Sequence, residues 1–227
     1  MSRNTDVQCK NKVKRSINKP EVNYKLNTKS DYKNINAMHA LLLGIVSSID
    51  LNFYINSLTT GWKKDRARKK LKSEWQIKDA PSVHQTIDYI LNEGDRTTYN
   101  ILLPHFLSST DKEGRKMRLK EKFLAIELLI NYSDNLSDYL DFINGQSTWV
   151  INEADLNKGI LAWDMCQIVI TSRLAYDAGY LNEKEAWKYL LLAYEICRNE
   201  YHSWEEISKS IYIGGAMKTG KKKWFIN

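Results

Sequence analysis

Residues 162–187 read AWDMCQIVITSRLAYDAGYLNEKEAW. Apolar residues run through this stretch at helical spacing, densely enough for burial, yet Asp164, Gln167, Arg173 and Asp177 sit among them. The pattern closes at Gly179, which suits a left-handed helix terminus. It restarts at Asn182, which with Glu185 forms a capping box for a second helix, EKEAWKYLLLAYEIC. The first helix is expected to cover roughly twenty residues from Leu156. At about 100° per residue, Asp164, Gln167 and Thr171 fall on one stripe, and Arg173 and Asp177 fall nearly opposite. A buried charge must be paired. Arg173 and Asp177 can pair at i,i+4, whereas Asp164 needs a donor from elsewhere. The expectation is a polar lock built from Asp164, Arg173 and Asp177 that sets the packing of these two helices. Trp163 and Trp187 lie beside it, and the same residues are the first candidates for a ligand site.

Outward from this pair, INAMHALLLGIVSSIDLNFYINSL from Ile35 reads as a helix, with Gly44 allowing close packing. A basic helix follows and ends near LKSEWQI. Ser82 with Gln85 suggests a capping box after Pro81, Gly94 suits the position just past a helix end, and a further helix is expected near Thr97, ending or kinking at Pro104. EKFLAIELLINY reads as a core helix. Ser203 with Glu206 starts WEEISKSIYI, which Gly214–Gly215 is expected to break. With three prolines, ten glycines and no convincing strand or hairpin signal, the reading is all-α: a single helical domain of roughly seven to nine helices. The expected boundaries are a flexible basic arm over 1–33, the domain over 34–217 and a basic tail over 218–227.

The net charge of +7 is unevenly distributed. Residues 1–33 carry nine Lys/Arg against three acids, and residues 61–72, GWKKDRARKKLK, carry seven against one. Residues 127–206 carry five against fourteen. Lys63, Lys64, Arg66, Arg68, Lys69 and Lys70 are therefore candidates for binding a polyanion, although a solvated helix face is the plainer account of such a run. Seven tryptophans call for burial or a partner surface. No segment approaches the apolar length of a membrane span, no apolar signal region follows the basic start, and three cysteines without CxxC spacing suit reduced thiols. A cytoplasmic protein is expected.

Other constellations are weaker. His39, His84, His105 and His202 share no metal-ligand spacing, so no metal or cofactor is expected. Cys166 lies in apolar surroundings that suit an inert thiol. Asp134, Asp138 and Asp141 could share a helix face, more simply as solvated carboxylates. GAMKTGKK at 215–222 imitates a phosphate loop, but it follows a helix and has Lys222 where the magnesium-binding hydroxyl should be.

AWDMCQIVITSRLAYDAGYLNEKEAW, followed by YHSWEEISKSIYIGG, resembles the bacterial domain-of-unknown-function family 1266 in its Ala-Trp-Asp start, Gly-Tyr turn, Glu-Ala-Trp helix and later Ser-Trp. LKSEWQIKDAPSVHQTIDYILNEGDR is similar to that family's upstream element, a Trp-x-Ile followed by a helix and a glycine turn. The likeness spans roughly residues 40–215. The chain departs from the pattern at Gln167, where many members carry Arg, and at Asp95, where they carry His. The resemblance implies a helical bacterial protein with no assigned chemistry, in a family sometimes associated with interbacterial toxin and immunity loci. The expected function is a helical protein-interaction module, with another protein as partner. An enzyme or toxin acting on nucleic acid or a nucleotide is the alternative, and nucleic acid would then bind through the basic segments.

Overall fold

Leu161–Ala178 forms a helix with fourteen of its eighteen residues buried. A helix apolar on all sides has to be surrounded, and the other elements are arranged to do so. The computed structural model describes residues 24–30, 34–108, 111–123, 127–145 and 150–220. Its helices in chain order are α1 (Ile35–Leu43), α2 (Ile45–Asp50), α3 (Lys64–Trp75), α4 (Ala80–Asn92), α5 (Gly94–Leu107), α6 (Lys112–Phe123), α7 (Glu127–Asn144), α8 (Glu153–Lys158), α9 (Leu161–Ala178), α10 (Glu183–Glu200) and α11 (Trp204–Thr219). No strand occurs among the described residues, where one isolated bridge joins Lys25 to Tyr54. The all-α expectation holds. α10, α11, α3, α4, α1 and α5 all pack against α9, and α6 and α7 pack on each other beyond α5 and α11.

Several helix ends differ from the sequence expectation. α9 starts at Leu161 instead of Leu156, because Gly159 (φ 83°, ψ −171°) adopts a conformation that only glycine takes easily and divides α8 from α9. At α4 the N-cap is Asp79, with Ser82 as its capping-box partner and Pro81 inside the first turn, so the proline helps to start this helix. α5 begins at Gly94 and continues past Pro104 to Leu107. α11 runs straight through Gly214 and Gly215 and ends at Gly220. The expected domain boundary at 217 therefore lies inside a helix, and the phosphate-loop mimic is largely helical. The capping box at Asn182 and Glu185 and the cap at Ser203 form as the sequence implies.

Gly214 is required by packing. A Cβ there would lie 2.4 Å from Cβ and Cγ of Trp163, so the absent side chain is what lets α11 close on α9. Part of the expected arm is tied down: Asn27 and Asn56 exchange backbone–side-chain bonds, and the Ser30 hydroxyl donates to the Asn56 carbonyl. Most of that arm, and the tail beyond Gly220, lie outside the described residues.

Replacing Gly214 with Ala should lower the stability of the chain by about 1–3 kcal/mol, because α9 and α11 must separate to admit the methyl group. The shift of the urea unfolding midpoint measures it.

Candidate functional site

The charged residues of α9 serve two irregular segments that cannot satisfy their own backbone. The first is the loop between α2 and α3, where Phe53, Ser57, Leu58 and Thr60 are buried without a regular ladder. Buried carbonyls and amides need partners. Arg173, 0% exposed, donates from Nη1 to Ser48 Oγ (2.8 Å), from Nη2 to the carbonyls of Ser57 (2.8 Å) and Tyr54, and from Nε to the Leu58 carbonyl (3.3 Å). Half-buried Asp177, one turn on, accepts from the Thr60 amide (2.8 Å) and the Thr60 hydroxyl.

The second segment is the junction of α4 and α5. α5 has no capping side chain of its own at Glu93. Asp164, 1% exposed, supplies the missing acceptor from α9: Oδ1 takes the Asp95 amide at 2.9 Å, and Oδ2 takes the Arg96 amide at 3.3 Å and the Arg96 guanidinium at 2.8 Å. The same guanidinium donates to the Ile90 and Leu91 carbonyls at the end of α4, both at 2.6 Å. Gly94 has φ +65°, and a Cβ there would sit 2.2 Å from Asp164 Oδ2, so the carboxylate can approach only because the residue is glycine. Burial pushes the Asp164 carboxyl up to about 6, against the opposing pull of Arg96 and the two amides.

These partners change the expected role of the α9 charges. They anchor a loop and a helix junction, while α10 packs on α9 through an apolar face that includes buried Ala186, Leu190, Ala193 and Cys197. Trp187 is half-buried against the core. Trp163 is buried, and its Nε1–H donates to Asp95 Oδ2 at 2.9 Å; Asp95 Oδ1 accepts from Lys218 at 2.6 Å.

Asp164 and half-buried Gln167 face a cleft of about 390 Å³ where α2, α3, α4, α5, α9 and α11 meet. Trp75 and Tyr89 supply aromatic wall, and Lys70 with Glu74, an i,i+4 ion pair at 3.2 Å, supplies part of the rim. Trp163, Gly94, Asp95 and Lys218 complete the opposite side. The sequence reading missed Tyr89 and Lys218, which line the cleft, and Arg96, which holds Asp164 behind its wall. Arg96 was recoverable in principle, since a Gly-Asp-Arg turn places a cation beside two helix ends; nothing local marks Lys218 or Tyr89. Arg173, Asp177 and Trp187 do not line this cleft.

On α3, Lys63, Lys64, Arg66 and Lys69 are exposed. Arg68 is half-buried and donates to the Ala178 carbonyl at 3.1 Å, and Lys70 is half-buried in its ion pair, so these two depart from a fully solvated basic face. Asp134 and Asp138 both pair with Lys112, which accounts for two of the three spaced aspartates. Burial pushes the Cys166 thiol up to about 12, which leaves it inert at neutral pH.

Arg173→Met should unfold at a lower denaturant midpoint, with a loss of at least about 3 kcal/mol, because several buried carbonyls lose their donor together. For Asp164, the folded carboxyl binds its proton more tightly than the unfolded one. Its contribution to stability is therefore largest below about pH 4 and falls as pH rises through about 6. The stability of the parent relative to Asp164→Asn should accordingly grow as pH is lowered from 7 towards 4, measured by denaturation at each pH.

The two sequence segments that carry the family likeness meet at this cleft: Trp75 and Gly94 come from one, Trp163 and Asp164 from the other. The two departures, Asp95 and Gln167, line it as well. No curated protein and no solved structure matches the chain. A family described as "Protein of unknown function (DUF1266)" matches residues 70–223. That match takes in the cleft-lining parts of α4, α5, α9 and α11, and the chain belongs to this family.

Proposed function

We propose that the domain is a protein-interaction module whose receiving surface is the cleft between α3, α4, α9 and α11. The observation that carries this reading is the state of the cleft wall. Asp164 already accepts from three donors, Asp95 joins Trp163 to Lys218, and Lys70 is paired with Glu74. Such a wall is pre-organised for contact and has its principal charged groups engaged in holding shape. Tyr89, 53% exposed at the mouth, together with half-buried Trp75 and Gln167, offers the aromatic and amide contacts that dominate interface energetics. The family resemblance favours a partner from an interbacterial competition system, with the chain on either side of a toxin–immunity pair.

An enzyme or toxin acting on nucleic acid or a nucleotide is the second reading. It draws on the place of the Asp164 carboxyl in the cleft wall, where burial raises its affinity for a proton.

The test combines the full chain with the proteins encoded beside its gene. One of them should bind, and Tyr89→Ala with Gln167→Ala should weaken binding by about tenfold or more while leaving the thermal midpoint unchanged. Full binding by that double variant would contradict the cleft as the receiving surface. Growth arrest on expression of the chain alone, abolished by the same double variant, would favour the second reading.

A further inference from the structure

α3 presents a second surface, separate from the cleft. Lys63 and Lys64 stand at its start and Arg66 and Lys69 follow, all exposed. Asp65 is the one acid between residues 61 and 72. The N-cap, Lys63, makes no side-chain cap, so the positive helix end adds to the lysine charge and is opposed in the first turn by Asp65. Cations at a helix N-terminus cost stability on their own; a bound anion reverses that cost.

The face is also held rigid and has an aromatic component. Ala67 and Leu71 are fully buried beneath it, and Arg68 fastens the helix to the end of α9 through the Ala178 carbonyl, with its guanidinium 5.2 Å from the Tyr180 ring centre. The Arg66 guanidinium lies 3.8 Å from the ring centre of half-buried Trp62, which itself meets Phe53 edge-on at 4.8 Å. A planar cation backed by an indole is a platform on which an unpaired base can stack.

We propose that Lys63, Lys64, Arg66 and Lys69 form a docking surface for single-stranded nucleic acid, with the lysines following the phosphates and Arg66, supported by Trp62, receiving a base. A duplex keeps its bases stacked inside and has no use for that platform. An anionic bilayer is the poorer fit, because no large exposed apolar side chain occurs among residues 61–75 to enter it.

The probe is a fluorescently labelled oligothymidylate of about 20 nucleotides, titrated with the full chain by anisotropy across a range of salt concentrations. Three phosphate contacts, one for each lysine, give a slope of log K against log salt of about −2. Lys63→Glu, Lys64→Glu, Arg66→Glu and Lys69→Glu combined should remove that part of the slope and weaken binding more than tenfold at low salt. These are exposed positions, and an unchanged circular dichroism melt confirms that the fold survives. Reversing four arm charges instead (Lys10, Lys12, Lys14 and Arg15 to Glu) controls for general basicity and should have the smaller effect. Arg66→Lys should keep the salt slope yet lose several-fold in affinity. The proposal is overturned if the arm reversal matters as much as the α3 reversal. It is equally overturned by tighter binding to a duplex of the same length, or by binding to phosphatidylserine vesicles with the oligonucleotide left free.

Discussion

The fold depends on how a fully enclosed helix brings charge into the interior. Arg173 and Asp164 on α9 would each be costly to bury alone. Each is instead surrounded by groups that would themselves be costly to bury: the carbonyls of the α2–α3 loop around Arg173, and the amides opening α5 together with the Arg96 guanidinium around Asp164. One set of polar groups resolves the desolvation of the other. This is why α9 can tie down two segments that lack regular structure and still sit at the centre of an otherwise apolar core.

That arrangement was only half legible in the sequence. The density of apolar residues between Ala162 and Ala178 announces a buried helix, and the polar residues inside it stand out at once. The partners do not. Arg173 reaches residues more than a hundred positions upstream, and apart from the Ser48 hydroxyl the acceptors named for it are carbonyls, which carry no side-chain signature. The i,i+4 spacing of Arg173 and Asp177 suggests a pair, but the backbone of a buried loop makes its own demands on both. Helix ends were misjudged where backbone geometry decided the outcome: Gly159 divides a helix that apolar periodicity would continue, while Gly214 and Gly215 pass inside α11 because close packing on Trp163 needs them. The cleft was legible only in part. Trp163, Asp164 and Gln167 share a stretch of α9, whereas Tyr89 and Lys218 join them through the fold alone.

The same geometry connects fold to proposed role. Holding the α4–α5 junction against α9 places Asp95 between Trp163 and Lys218 and opens the cleft beside them. Glycine at position 94 is what allows the carboxylate to approach, so shape and charge at the cleft come from one local constraint. Lys63, Lys64, Arg66 and Lys69 do not line the cleft and stand ahead of the family-matched residues, so the two surfaces can carry separate partners. Among the described residues no helix is long and apolar enough to cross a membrane.

The central claim is that Asp164 and Arg96 act as one unit closing the α4–α5 junction. A double-mutant cycle on Asp164→Asn and Arg96→Met, read by chemical denaturation at neutral pH, tests it most directly. The account predicts a coupling of about 1–3 kcal/mol, with the second substitution costing far less once the first is made. Losses that add to within about 0.5 kcal/mol would show the two residues to be independent, and would contradict it.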